Sequence, residues 1–529
     1  MRKVIYIFIV ILMGFGFGIS QEIVLNKEDF SSKDDLKAAK DYLKTAEEFY
    51  AYGVGGYSRA IDNYLEIQKL NPNIAALNYK IGNCYLNTFQ KAKSITYFQK
   101  AFELNRNIAD DILYKIARGY HLNLEFEKAI EYYTKYRSLL SPKLLSEYKS
   151  IIEKRISECN NGIELIKNPV RVFIDNVGPE INSKYPDYSP LISADESMMI
   201  FTSRRDDTEG GNRTPEDGEF YEDIYLAYHN GIKWDNSTNI GKPLNTSDHD
   251  ATVGLSNDGQ QLFTYTDKTG GGDIYVSELK GTEWSKPDNS TLKKNINTDF
   301  HECAASFSFD GKTMYYITNK PNDNYDTKVY SDPQMRTHDI FYTHWDSEKE
   351  RWGEPKNIGS TINTEFEEKG VFMHPDGRTL YFSSQGHNTM GDYDIFMSEL
   401  QDDGTWAKPI NIGYPINTPD DDRFFVMAAS GKHGYYSTVK DDGHGSYDIY
   451  IITFRGPEKP VTQSNEDNLL ANIAPVSETI MEETVEIKTM RLTILKGTVK
   501  DALTLEPIAA DIEIIDNEKN EVISISKSN

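Results

Sequence analysis

The sequence predicts a multidomain chain: a stack of helical repeats, then an all-β five-bladed propeller, then a short β segment. Three observations carry this. The triplet Asp-Ile-[Tyr/Phe] occurs five times, starting at Asp223, Asp273, Asp339, Asp394 and Asp448, with spacings of 50, 66, 55 and 54 residues. A period of that size built from short apolar runs and turns is the mark of small sheets arrayed around an axis. Upstream, the pattern [Ala/Ser]-Ile-x-x-[Tyr/Phe] recurs at Ala60, Ser94 and Ala129, spaced by 34 and 35 residues. At 529 residues the chain is also too long for a single core.

The first twenty residues read as a secretory signal. Arg2 and Lys3 precede an apolar run from Val4 to Ile19, and Gly18 and Ser20 supply small residues ahead of Gln21. No Cys follows the apolar run, so a lipid anchor is not expected. Lys+Arg total 57 against Asp+Glu 82, a net charge of −25. A surface so acidic has no basic field with which to bind nucleic acid or anionic lipid. Cys84 and Cys159 fall in one helical segment and can pair, but three buried thiols, Cys303 included, is the simpler reading.

Residues 36–167 carry apolar positions at i, i+3, i+4 and i+7, which is helical spacing. Tyr79-Lys80-Ile81-Gly82 is echoed 35 residues later by Tyr114-Lys115-Ile116-Ala117. Asn71-Pro72 ends one unit because Pro cannot continue a helix. Small residues (Gly82, Ala101, Ala117) allow close helix pairs. Three such units and a closing, solvent-facing helix over about 143–166 are expected. This 34-residue helix-turn-helix period resembles tetratricopeptide repeats. Such stacks often hold a peptide in a concave groove, and Tyr79, Asn83, Tyr114 and Arg118 are the candidate partner-binding residues. The alternative is a structural arm packed on the propeller.

The propeller is expected over 169–456. Each unit opens with an [Ile/Leu]-Asn-[Thr/Ser] lead, at Asn182, Asn245, Asn297, Asn363 and Asn417. A first strand follows, then a tight turn such as Asp258-Gly259, a second strand, and a third that begins at the triplet. A Trp-and-Pro pattern marks the fourth strand at Trp234, Trp284, Trp352 and Trp406, four times for five triplets. The segment 170–177 aligns with 409–413, so it is expected to supply the missing outermost strand of the last blade and to close the ring.

Five residues after each motif Asn stands a carboxylate: Asp187, Asp250, Glu302, Glu368 and Asp422. Five such groups around one axis can hold a hard cation such as Ca²⁺. The favoured reading is structural, as acceptors of backbone N–H groups from neighbouring blades, one repeat at a time. The triplet Asp residues read as turn caps. His249 and His301 occupy equivalent positions, but no tight metal-ligand spacing appears and isolated, hydrogen-bonded histidines are expected. Gly270-Gly271-Gly272 reads as a hairpin tip. The sequence has no nucleophile elbow or phosphate-cradling loop, so no enzyme is expected and no catalytic or cofactor-binding residue is named.

Residues 457–490 read as a Pro-, Glu- and Ser-rich linker. From 491 to 529, Gly497-Thr498-Val499-Lys500-Asp501, Thr504 to Pro507 and the alternating Ala510 to Ile515 resemble the start of a carboxypeptidase regulatory-like β-sandwich, too short to complete one. Taken in order, signal, helical repeats, WD40-like propeller and partial sandwich resemble the OmpA-family cell-envelope proteins of Bacteroidetes-type bacteria, among them the type IX secretion-associated (PorE-like) group. The resemblance implies a periplasmic, outer-membrane-associated scaffold that binds other envelope proteins. It also implies a peptidoglycan tether through a C-terminal OmpA-like domain that this sequence does not carry. The alternative is a glycan-active or glycan-binding propeller, which needs unrepeated carboxylates aimed at the axis.

Overall fold

The computed structural model describes residues 22–215, 217–266, 273–293, 295–320, 337–440, 442–455, 510–516 and 521–527. The expected leader, the Gly270–Gly272 tip, the linker and most of segment 491–529 lie outside them. Within that last segment, β22 (Asp511–Asp516) and β23 (Glu521–Lys527) pair as an antiparallel hairpin.

Among the described residues seven α-helices come first: α1 (Lys33–Tyr50), α2 (Val54–Leu70), α3 (Ala75–Leu86), α4 (Ser94–Leu104), α5 (Ile112–Leu122), α6 (Phe126–Leu139) and α7 (Pro142–Lys167). They pack as successive pairs α1/α2, α3/α4 and α5/α6, and α7 closes on α6. The repeated pattern supplies the core: Ala60, Tyr64, Ser94, Phe98, Ala129 and Tyr133 are fully buried. Small residues set the approach distances. A Cβ on Gly82 would stand 2.8 Å from the Phe98 ring, and one on Gly162 would stand 2.3 Å from the Phe126 ring. Helix α7 buries Ile152, Glu158, Cys159 and Gly162 and is largely exposed over its first turns. It also touches the propeller: Arg155 Nη1 lies 2.7 Å from Asp392, and Asn161 Nδ2 donates to Thr389 O at 2.8 Å.

Among the described residues five sheets follow, four of four strands and the third of five. The first joins β2 (Asp187–Ile192), β3 (Met198–Ser203), β4 (Asp223–Tyr228) and β5 (Thr238–Asn239). The second joins β6 (Asp250–Leu255), β7 (Gln261–Thr266), β8 (Asp273–Lys280) and β9 (Glu283–Trp284). The third joins β10 (Glu302–Phe307), β11 (Thr313–Thr318) and β12 (Asp339–Asp346), with β13 (Arg351–Trp352) and β14 (Lys356–Asn357). The fourth joins β15 (Glu368–Met373), β16 (Thr379–Ser384), β17 (Asp394–Glu399) and β18 (Ile410–Asn411). The last joins β19 (Arg423–Met427), β20 (His433–Thr438) and β21 (Asp448–Phe454), and its outer strand is β1 (Val172–Asn176). The first strands touch in the order β2, β6, β10, β15, β19 and back to β2, so they line the axis of a closed five-bladed ring.

The fourth strands are shorter than the Trp-Pro pattern suggests. In the first, third and fourth blades the stretch after the Trp pairs over only two residues ahead of the next lead, and in the third β13 pairs separately at the Trp itself. Every first strand carries a register shift against its partner. Such bulges bend the strand and re-aim the extra side chain. Four of the five first turns hold a glycine in the left-handed region, and the fifth holds Glu196 at φ 57°. Glu196 uses that strained position to reach His433 Nδ1 at 2.7 Å and the Tyr435 hydroxyl at 3.0 Å, both in the last blade. The ring is thus closed by β1 and by a side-chain contact across the same seam.

The bonds from Val177 N to Ile449 O and from Arg455 N to Arg171 O flank β1. In an antiparallel ladder they place the odd-numbered residues of β1 with N–H groups towards β21. Asp175→Pro is therefore expected to cost about 2 kcal/mol, the loss of a ladder bond with its acceptor left buried. Ile174→Pro, whose N–H points outward, is expected to cost well under half of that. Urea unfolding of the two variants checks this, and equal losses would refute the closure register.

Candidate functional site

The end of the ring where the first strands begin concentrates the polar side chains, and the repeat builds it. Each lead Asn clamps the backbone of the triplet Ile in the blade just completed. Asn245 accepts from Ile224 N and donates to Ile224 O, both at 2.9 Å. Asn297 does the same to Ile274 at 3.1 and 2.7 Å, Asn363 to Ile340 at 3.0 and 2.9 Å, Asn417 to Ile395 at 2.8 and 2.8 Å, and Asn182 to Ile449 at 2.8 and 2.8 Å. Three of the triplet Asp residues cap the loops that precede them, Asp223 accepting from Glu209 N at 2.6 Å. Asp394 accepts from Met390 N at 2.9 Å, and Asp448 from His444 N at 2.5 Å.

Asp187, Asp250, Glu302, Glu368 and Asp422 are buried at the starts of the first strands. Each accepts from the hydroxyl and N–H of the Ser or Thr in its own lead. Thr246 Oγ1 reaches Asp250 at 2.7 Å, Thr298 Oγ1 reaches Glu302 at 2.7 Å, and Thr418 Oγ1 reaches Asp422 at 2.9 Å. The blade-to-blade bond runs through their backbones instead: Asp250 N donates to Glu222 O, and Asp422 N to Tyr393 O. Burial raises the carboxyl of Glu302 to about 7 against its hydroxyl donors. Among the described residues, none of the five enters a group of three or more ligand atoms close enough to share one ion.

The positions beside these acids break the fivefold pattern. Glu222 accepts from the Tyr188 hydroxyl at 3.2 Å and pairs with His249, with Arg204 at 3.7 Å. Glu367 binds His338 Nδ1 at 2.8 Å, the Tyr393 hydroxyl at 2.6 Å and Lys369 Nζ at 3.1 Å. Burial would raise both carboxyls, but these partners hold them below the ordinary range.

The helical arm docks on this same end. Asp392 receives Arg118 Nη2 at 3.0 Å and Arg155 Nη1 at 2.7 Å. Lys91 Nζ lies 2.5 Å from Asp420 and 2.7 Å from Asp421. Burial opposes the charge on Asp392, but Arg118, Arg155 and Lys91 together hold its carboxyl well below the usual range. His121 is buried beside this cluster. Its Nδ1 accepts from Arg118 at 3.2 Å, so its Nε2–H donates to Met390 O at 2.8 Å. Burial first, then Arg118, lowers its pKa to about 3 and keeps it neutral. Met390 itself is buried in the core formed by α5, α6 and α7.

The four residues expected to line a peptide groove are placed as follows. Tyr79 is buried and donates to Asp111 at 2.7 Å. Asn83 is half-buried between Tyr50 and Lys115. Tyr114 is buried between the rings of Tyr133 and Tyr136. Arg118 faces the propeller. Tyr79, Asn83 and Tyr114 thus bond or pack within the arm, and Arg118 bonds to Asp392 of the propeller. Sequence reasoning missed Asp392, Asp420 and Asp421; of these only Asp392 stands where every other unit lacks an acid, since Asp248 matches Asp420 and Glu367 matches Asp421. Cys84, Cys159 and Cys303 are free thiols.

No family model matches the chain, and no curated protein matches it. Among solved structures, a putative TolB from Agrobacterium tumefaciens is similar at 16% identity over 54% of this chain and 90% of its own, with a TM-score of 0.31. A glycoside hydrolase is similar at 8% identity over 57% and 97%, TM-score 0.37. A β-xylosidase/α-arabinofuranosidase from a compost metagenome is similar at 15% over 54% and 94%, TM-score 0.34. At such scores these likenesses carry no argument about this chain. The five-bladed ring rests on its own strand pairing.

Removing one partner of a buried ion cluster leaves the rest without counter-charge, which costs about 3–5 kcal/mol. Asp392→Asn is expected to weaken arm docking by that order, seen as faster hydrogen exchange in α5 and α7 while β10 and β15 stay protected. Unchanged exchange in both helices would show that the cluster does not hold the arm.

Proposed function

We propose that the protein is a non-enzymatic scaffold of the cell envelope, binding protein partners through its helical arm and propeller. The observation that carries this reading is the use of its acids. The carboxylates that recur are buried and capped by their own leads. The unrepeated ones, Glu222 and Glu367, are held ionised by cationic or hydroxyl partners. Glycoside cleavage needs one carboxylic acid with a raised pKa that can reach a leaving oxygen. The raised acids of the repeat, Asp187, Glu302, Glu368 and Asp422, are buried, whereas Glu222 and Glu367 carry the opposite shift. The arm fused to the ring through a buried ion cluster extends the surface a partner can engage.

A periplasmic location, outer-membrane association, tetratricopeptide-type repeats, a role in type IX secretion and a peptidoglycan tether through a further domain belong to this proposal. They rest on the order of segments and on the leader-like first twenty residues. Among the described residues no helix is long and apolar enough to cross a membrane.

The glycan-active reading keeps one supporting observation: Glu222 and Glu367 break the fivefold pattern beside the axis, as a glycosidase site would. One experiment separates the two. The purified chain is incubated with envelope extract before and after muramidase digestion, and with a panel of aryl glycosides. The scaffold reading expects envelope proteins recovered at fixed stoichiometry in both extracts and no glycoside turnover. Turnover that Glu367→Gln abolishes would replace it with the enzyme reading.

A further inference from the structure

The third and fourth blades meet at a cluster that neither the repeat nor the arm uses. His301 Nδ1 lies 3.0 Å from His338 Nε2, and the Cys303 sulfur completes a set of three ligand atoms all within 4.8 Å of one another. The chain brings them together from two segments. His301 and Cys303 flank the buried Glu302 at the start of β10, and His338 immediately precedes β12. In the register of β10 on β11, Glu302 faces Thr318 and Ala304 faces Ile317. Cys303 is therefore the extra residue of the bulge, and its side chain leaves the ladder's alternation.

We propose that His301, Cys303 and His338 form a binding site for a borderline-soft divalent metal of the Zn²⁺ class, with a fourth position open. Two imidazoles and a thiolate are the donor set such an ion selects, and tetrahedral N/S coordination brings ligand atoms within about 4 Å of one another. The supporting residues are those a metal-bound histidine uses. Ionised Glu367 accepts from His338 Nδ1–H at 2.8 Å, which fixes the tautomer and leaves the Nε2 lone pair facing the site. Asn319 holds the His301 backbone N–H at 2.9 Å. Lys369 is occupied by Glu367 at 3.1 Å, so its charge is offset.

Binding replaces the proton of the Cys303 thiol by the metal, M²⁺ + Cys–SH giving [M–S–Cys]⁺ and one H⁺ released, with no change of oxidation state. Asp392, Asp420 and Asp421, the other such group among the described residues, are instead neutralised by Lys91, Arg118 and Arg155. The site is independent of the scaffold reading.

The test uses the full chain without an affinity tag, stripped with chelator and titrated with Co²⁺. One ion per chain is expected, with thiolate-to-cobalt charge-transfer absorption, visible d–d bands of tetrahedral strength and release of one proton. Cys303→Ser is expected to lose the charge-transfer band and keep weak binding. His301→Ala with His338→Ala is expected to lower affinity at least tenfold while unfolding at the same urea concentration as the metal-free parent. Glu367→Gln is expected to lower it about tenfold by loosening His338. Co²⁺ binding equal in the parent and the double His variant, or a spectrum without thiolate absorption, would overturn the assignment. Cys84 and Cys159 lie buried in the arm and serve as internal controls.

Discussion

The ring depends on one side-chain contact made five times. The third strand of each blade begins beside a fourth strand that in most blades is only two residues long, so the N–H of the triplet Ile has no strand to pair with on that side. An unpaired backbone group in the interior costs roughly as much as a lost hydrogen bond. The lead Asn supplies the missing partner. Its planar amide carries a donor and an acceptor on one face, as a peptide group does, and it pairs with both ends of the buried Ile. Asp lacks the donor and Leu lacks both. The same residue is anchored from behind, since Asn245 Nδ2 also donates to Asn239 at 2.7 Å and Asn417 Nδ2 to Asn411 at 2.7 Å.

Two consequences follow from the position of that clamp. The Thr or Ser after the Asn is fixed at the head of the next blade, where its hydroxyl meets the buried acid. The repeated carboxylates are thus part of how one blade starts the next. At the seam between the last blade and the first, Asn182 performs the clamp from a lead that follows β1, so strand closure and amide closure act on the same joint. The arm enters immediately before β1 and docks on loops of the fourth and fifth units, which ties a helical stack to the joint region of the ring.

Much of this was legible in the sequence because it is short-range or periodic. The triplets, the leads, the turn glycines and the displaced outer strand at 170–177 all announce themselves by repetition, and the buried faces of α2, α4 and α6 by helical spacing. What was not legible depends on partners far apart in the chain. Arg118 reads as a groove residue until Asp392, 274 positions away, claims it. His301 and His338, 37 positions apart, form no recognisable ligand spacing and meet only because β10 and β12 both pair with β11. The bulge that turns Cys303 leaves no mark in the alternation of so short a strand. Where a repeat holds function, departures from it are the place to look. Glu196, which stands where four units have glycine, is one such departure, and its contacts cross the seam.

The most direct test of the account is the stability of Asn417→Ala, measured by urea unfolding. Asn417 is fully buried, and truncation leaves the Ile395 N–H without a partner and its C=O with the Ile412 N–H alone, a loss of about 2 kcal/mol. The account predicts a loss of that order, with hydrogen exchange accelerated first at the start of β17. A loss below about 0.5 kcal/mol, the size expected of an exposed polar truncation, would show that the clamp does not hold the ring together.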